Sequence, residues 1–116
     1  MISGLHHIAI IVSSERSVEF YKGLGFKEIM RKERTTDTVV IMETSDGLRI
    51  ELFVDPTHPS RATSPENNGL RYLSLKVDDI DSIANSNNSS PITNDWFGER
   101  YCIINDPDGL PVQLHE

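Results

Sequence analysis

The chain has a single cysteine, Cys102, and therefore no internal disulfide and no cysteine cluster for zinc. Its expected place is the core of a strand, as a small apolar residue. Long apolar runs are absent too. The longest, Ile8 to Val12, is far short of the roughly 20 residues a spanning helix needs. The N-terminus has neither the basic flank nor the hydrophobic stretch of a signal peptide, so a cytoplasmic protein is expected. Clusters of lysine and arginine are also missing, and the net charge is −7. That balance argues against nucleic acid or an anionic membrane as partner. It says little about a small-molecule ligand, which responds to the local field of its pocket and is the expected partner.

What is present is one domain's worth of material: 116 residues, 37% apolar and 25% charged. Two segments recur within it. "GLHHIAIIV" at 4–12 returns as "GLRYLSLKV" at 69–77, an offset of 65, and "DGLRIELF" at 46–53 returns as "DGLPVQLH" at 108–115, an offset of 62. Two matches in the same order at nearly equal offsets imply a duplicated module. The expected division is module one at 1–62, a linker at 63–68 and module two at 69–116.

Each module reads as a strand, a helix and three strands. Ile8, Ile10 and Val12 alternate with His7, Ala9 and Ile11, the period of a strand with two unlike faces. "SSERSVEFYKGLGF" turns helical, with Ser13 or Ser14 as cap, Val18 and Tyr21 on one face, and Gly23 or Gly25 at the end. Segments near 26–34, 37–44 and 48–54 follow as strands, with "SDG" at 45–47 as a hairpin turn. In the second module "DDIDSIANS" predicts a short helix begun by Asp78 or Asp79, while "NSNNSS" at 85–90 and "NDPDGLP" at 105–111 read as loop and turn. The fold class is α+β, two βαβββ modules.

Strand parity then sorts the side chains. With Ile8, Ile10 and Val12 packed on the helix, His7 points to the opposite face, and Glu51 does so between Ile50 and Leu52. Tyr72 and Gln113 are their counterparts in the second module. Arg49 and Lys76 share that parity, either to meet an anionic substrate or as solvated strand charges. By the same rule His6 falls to the helix side or an edge; His115, two residues beyond Gln113 on its face, is expected at the rim, and Trp96 with Phe97 to pack, or to cover the cleft or a dimer contact.

"LHHIAI", "FYKGLGF", "IELF", "GLRYLSLKVDDID" and "NDPDGLPVQLHE" occur here in an order that resembles the glyoxalase I-like branch of the vicinal oxygen chelate superfamily. The resemblance spans nearly the whole chain. It implies curled mixed sheets that form a cleft around a divalent metal, nickel, zinc or manganese, with a homodimer as the expected assembly. Carried over position by position, it makes His7 and Glu51 metal ligands, with Gln113 a third and Glu51 also the group that moves a proton. Tyr72 stands where the branch usually has histidine, and Gln113 where it usually has glutamate. A phenol with a pKa near 10 must ionise to bind a metal well, so weak binding is expected. Two functions follow from the resemblance: a glyoxalase-like protein with a degenerate metal site, isomerising a hemithioacetal or related 2-oxo compound, or a metal-free small-molecule binding protein of the same fold.

Overall fold

The computed structural model describes residues 1–116 and divides into two compact units, Met1–Pro59 and Ser60–Glu116. In the first unit, β1 (Ile8–Val12) leads into helix α1 (Arg16–Gly23), followed by β2 (Lys27–Glu33), β3 (Thr38–Glu43) and β4 (Arg49–Val54). The second runs β5 (Leu73–Lys76), α2 (Ile80–Ser86), β6 (Thr93–Asn94), β7 (Arg100–Asn105) and β8 (Pro111–His115). Both are βαβββ, as the repeat predicts. Their sheets have the same topology, β1-β4-β3-β2 in one and β5-β8-β7-β6 in the other. In each, the first strand pairs in parallel with the last, and the remaining pairs are antiparallel.

Burial follows strand parity. On one face of the first sheet Ile10, Val12, Val40, Met42, Ile50 and Leu52 are buried, and α1 adds Val18 and Tyr21 to that core. Tyr21 meets Phe20 and Phe26 edge-on, with ring centroids 5.0 and 5.9 Å away. Arg31 of β2 ties the start of α1 to the sheet through Glu15 at 2.7 Å. The helix begins without a side-chain cap on its N-cap residue, Glu15, although Ser14 Oγ accepts from the Arg16 N–H at 3.2 Å. It stops at Gly23, and Gly25 adopts a φ of +108°, a conformation glycine reaches without steric cost. In the second unit Leu73, Cys102, Ile104, Val112 and Leu114 form the corresponding buried face. Cys102 is free and buried, as its place in a strand predicts. Helix α2 is capped by Asp79, whose carboxylate accepts from the Ser82 N–H.

The two repeated turns are built alike. Gly47 donates to the Thr44 carbonyl at 3.1 Å before β4, and Gly109 donates to the Asp106 carbonyl at 3.0 Å before β8. Their φ angles of +94° and +86° explain why both copies of the motif carry "DG". These turns set the register of the last strand of each sheet, and with it the placement of Glu51 and Gln113.

Segment 60–72 is exposed throughout and is organised within the second unit. Thr63 bridges to Glu66, Arg71 pairs with Glu66, and Arg61 donates to the Leu70 and Arg71 carbonyls. No helix of the chain is long and apolar enough to cross a membrane.

Candidate functional site

Register makes the repeat-related positions equivalent. Ala9, two residues after His7, is the Cα partner of Glu51, and Ser74, two residues after Tyr72, is the Cα partner of Gln113. Glu51 and Gln113 therefore lie on the face turned away from the buried residues of their own sheet, and His7 and Tyr72, which precede β1 and β5, reach that face beside them.

In the first unit the pair is in contact. His7 Nε2 lies 3.2 Å from Glu51 Oε2, with both side chains partly exposed. His6, which the sequence places on the helix side or an edge, is exposed just before the edge strand β1, with its Nδ1 2.8 Å from His7 Nδ1. An ionised carboxylate only accepts, so with Glu51 ionised His7 Nε2 carries the proton it donates. In a neutral imidazole His7 Nδ1 then accepts, and His6 Nδ1 is the donor. The three side chains form one directed chain, from His6 through His7 to Glu51.

A divalent ion bound by nitrogen and oxygen at about 2.1 Å in tetrahedral geometry separates its ligand atoms by roughly 3.4 Å. The observed 3.2 Å between His7 and Glu51 suits two corners of such a polyhedron. Nothing in the first unit supplies a third, since no group of three or more histidine, cysteine, aspartate or glutamate side chains has metal-holding geometry. Arg49, on the same face, is committed elsewhere. Its Nε and Nη2 donate to Glu43 Oε2 at 3.0 and 2.6 Å, so its charge is already compensated.

The second unit offers a weaker donor pair. Gln113 Oε1 accepts from Ser74 Oγ at 2.6 Å, and the Tyr72 ring is 38% exposed. Both line a cavity of about 420 Å³ on this face of the sheet. Lys76 is exposed and stands in register with His115, without an ion pair. His115 is not merely a rim residue. Its Nε2 lies 2.8 Å from Asp95 Oδ2, and its Nδ1 lies 3.7 Å from Glu99 Oε2.

Asp95 also accepts from the Phe97 and Glu99 N–H groups at 2.8 and 2.9 Å, which closes the turn between β6 and β7. That turn holds Trp96 and Phe97 out at 99% and 86% exposure, so within the chain they pack on nothing. Sequence reasoning missed the Asp95–His115 pair. The two are 20 residues apart, and Asp95 lies outside the repeat that directed attention to the other positions.

The pair has a measurable pH signature. The hydrogen bond to Asp95 holds the His115 imidazole above its ordinary value of 6.5, and the same bond holds Asp95 below its ordinary 3.8. A raised histidine contributes stability fully below its unfolded pKa and loses it as pH rises through the folded one. The depressed carboxylate contributes above its unfolded pKa and loses this as pH falls through the folded one. His115→Phe is therefore expected to cost most at about pH 5 to 6 and progressively less above neutrality. Urea unfolding of both proteins at an acidic and an alkaline pH checks this; an equal deficit at both would remove the ion pair from the account.

The same architecture is found in other proteins. The chain is 34% identical over 126 aligned positions to YwkD of Bacillus subtilis, covering 100% of this chain and 98% of that protein. It is 36% identical over 123 positions to YaeR of Escherichia coli, covering 97% and 95%. The crystal structure of the glyoxalase family protein from Enterococcus faecalis superposes with a TM-score of 0.86 at 30% identity, over 98% of each chain. The family model of the Glyoxalase/Bleomycin resistance protein/Dioxygenase superfamily matches residues 4–114, which takes in His7, Glu51, Tyr72 and Gln113. With that match over both modules, the chain belongs to the glyoxalase/bleomycin resistance protein/dioxygenase superfamily.

Proposed function

We propose that the chain is a glyoxalase-like small-molecule protein whose divalent-metal site is degenerate, reduced in the first unit to the donors His7 and Glu51. The observation that carries this reading is the 3.2 Å contact between His7 and Glu51, in a molecule with no three-residue metal group. Members of the superfamily often use divalent metals. Here two obstacles stand against tight binding. Tyr72 and Gln113 bring no negative charge at neutral pH, and the proton on His7 Nε2 must leave or move to Nδ1 before that nitrogen can donate to an ion. His6 Nδ1 is placed to accept the displaced proton bond, at the cost of reversing its own role.

A divalent ion, when bound, would polarise the oxygens of a hemithioacetal or related 2-oxo compound. Glu51 is the carboxylate of the four repeat-related positions and so the group to take up and return a proton between adjacent carbons. His7 orients that carboxylate. Under the alternative, a metal-free binding protein, the same side chains only contact a ligand. Isothermal titration with nickel, zinc and manganese separates the two. Weak binding that disappears in His7→Ala is the expected result, whereas complete indifference to all three metals favours the metal-free protein.

A further inference from the structure

Arg61 is the arginine of the second unit without a carboxylate partner. Arg31, Arg34, Arg49, Arg71 and Arg100 each pair with a carboxylate, and Arg61 does not. Its Nη2 donates to the Leu70 and Arg71 carbonyls at 3.1 and 3.2 Å, which fixes the guanidinium plane and leaves Nε and Nη1 without partners. The side chain lines the 420 Å³ cavity on the open face of the second sheet. That size falls within the roughly 300–1,000 Å³ of small-molecule pockets.

The other charges at the cavity cancel. Arg71 holds both carboxylate oxygens of Glu66 at 3.0 Å, so Arg61 is left as its uncompensated charge. A positive site on a chain of net charge −7 is unlike its surroundings. Tyr72, Tyr101 and Ile103 supply much of its apolar wall, and neither phenol hydroxyl has a hydrogen bond within the chain. Unused donors thus surround an aromatic and aliphatic surface.

We propose that this cavity binds a small organic acid, its anionic group accepting from a free N–H of Arg61 and its planar apolar body against Tyr72, Tyr101 and Ile103. The two carbonyl bonds hold the guanidinium in place, and the tyrosine hydroxyls add donors that an oxyanion satisfies. The inference deepens the reading of the chain as a small-molecule protein, and it needs no metal.

The test uses the full chain in EDTA with three probes of one shape: benzoate, phenyl phosphate and neutral benzamide. Titration followed by amide NMR is expected to show benzoate and phenyl phosphate shifting signals of Arg61, Tyr72 and Tyr101 at millimolar concentration. The stronger of the two identifies the acid. Benzamide is expected to bind several-fold more weakly. Arg61→Gln should weaken both anions by about five-fold or more, the scale of one charge-assisted hydrogen bond in an exposed site. Arg61→Lys keeps the charge without the anchored planar guanidinium and should fall between them.

As control, Arg16→Gln removes an equal charge at the start of α1, from an arginine that also lacks a carboxylate partner, and should change nothing. Retained amide dispersion in Arg61→Lys guards against a folding artefact. The proposal is overturned by equal response to benzamide, by shifts confined to other residues, by no shift at all, or by an equal loss in Arg16→Gln. Nickel binding that survives such a result would leave the His7–Glu51 reading standing, and the reverse outcome would leave only the acid site.

Discussion

Replacing Tyr72 by histidine together with Gln113 by glutamate is expected to tighten nickel or zinc binding by at least ~10-fold over the parent, from the gain of good ligand atoms and one negative charge. The register of the second sheet supports the choice. Ser74 pairs with Gln113 as Ala9 pairs with Glu51, so the two variant side chains occupy the places His7 and Glu51 hold in the first unit. The substitutions also leave local bonding intact. Ser74 Oγ donates to Gln113 Oε1 at 2.6 Å, and a carboxylate oxygen accepts the same bond. Tyr72 is 38% exposed, so trading it for a smaller ring opens no large void in the core. Titration calorimetry on parent and double variant decides the matter. Equal affinities would mean that Tyr72 is not what weakens the site, and tight binding by a His7→Ala parent would place the metal elsewhere.

The second large effect concerns the scaffold beneath that site. Leu52→Ala is expected to lower stability by about 3 kcal/mol, within the range for fully buried leucines whose cavity only partly collapses. Leu52 has no exposed surface and is the Cα partner of Ile10 on one side and Val40 on the other, so the lost volume lies at the centre of the first sheet. Ile11 is 55% exposed on the opposite face, and Ile11→Ala should cost under about 1 kcal/mol. Urea denaturation at constant m-value measures both. Comparable losses in the two variants would show that burial in this sheet is not divided between its faces as described.

The contrast between Leu52 and Ile11 is also a contrast in how structure is encoded. A hydrophobic residue every second position commits a strand to one buried face, and that commitment is complete in the local sequence. Hence the alternation in "HIAIIV" and "RIELFV" sufficed to place Glu51 on the open face, and the offsets of 65 and 62 sufficed to predict two sheets of one topology. The "DG" turns belong to the same category. A left-handed backbone at Gly47 and Gly109 is a one-residue requirement, visible as a glycine wherever it occurs.

Side-chain partnerships are of another kind, because they depend on which residues the register brings opposite each other and on loops without a period. Sequence alone determined that the chain is a duplicated βαβββ protein with His7, Glu51, Tyr72 and Gln113 at equivalent positions. Tertiary structure decided that His6 faces His7, that Glu43 occupies Arg49, and that Asp95 holds His115 and so displays Trp96 and Phe97. It also decided that segment 60–72 folds back on the second unit and leaves Arg61 unpaired beside a cavity. The physical reason is the range of the forces. Burial and backbone geometry act through neighbours in the chain, whereas an ion pair or a pocket forms only after distant segments have been placed within about 4 Å of one another.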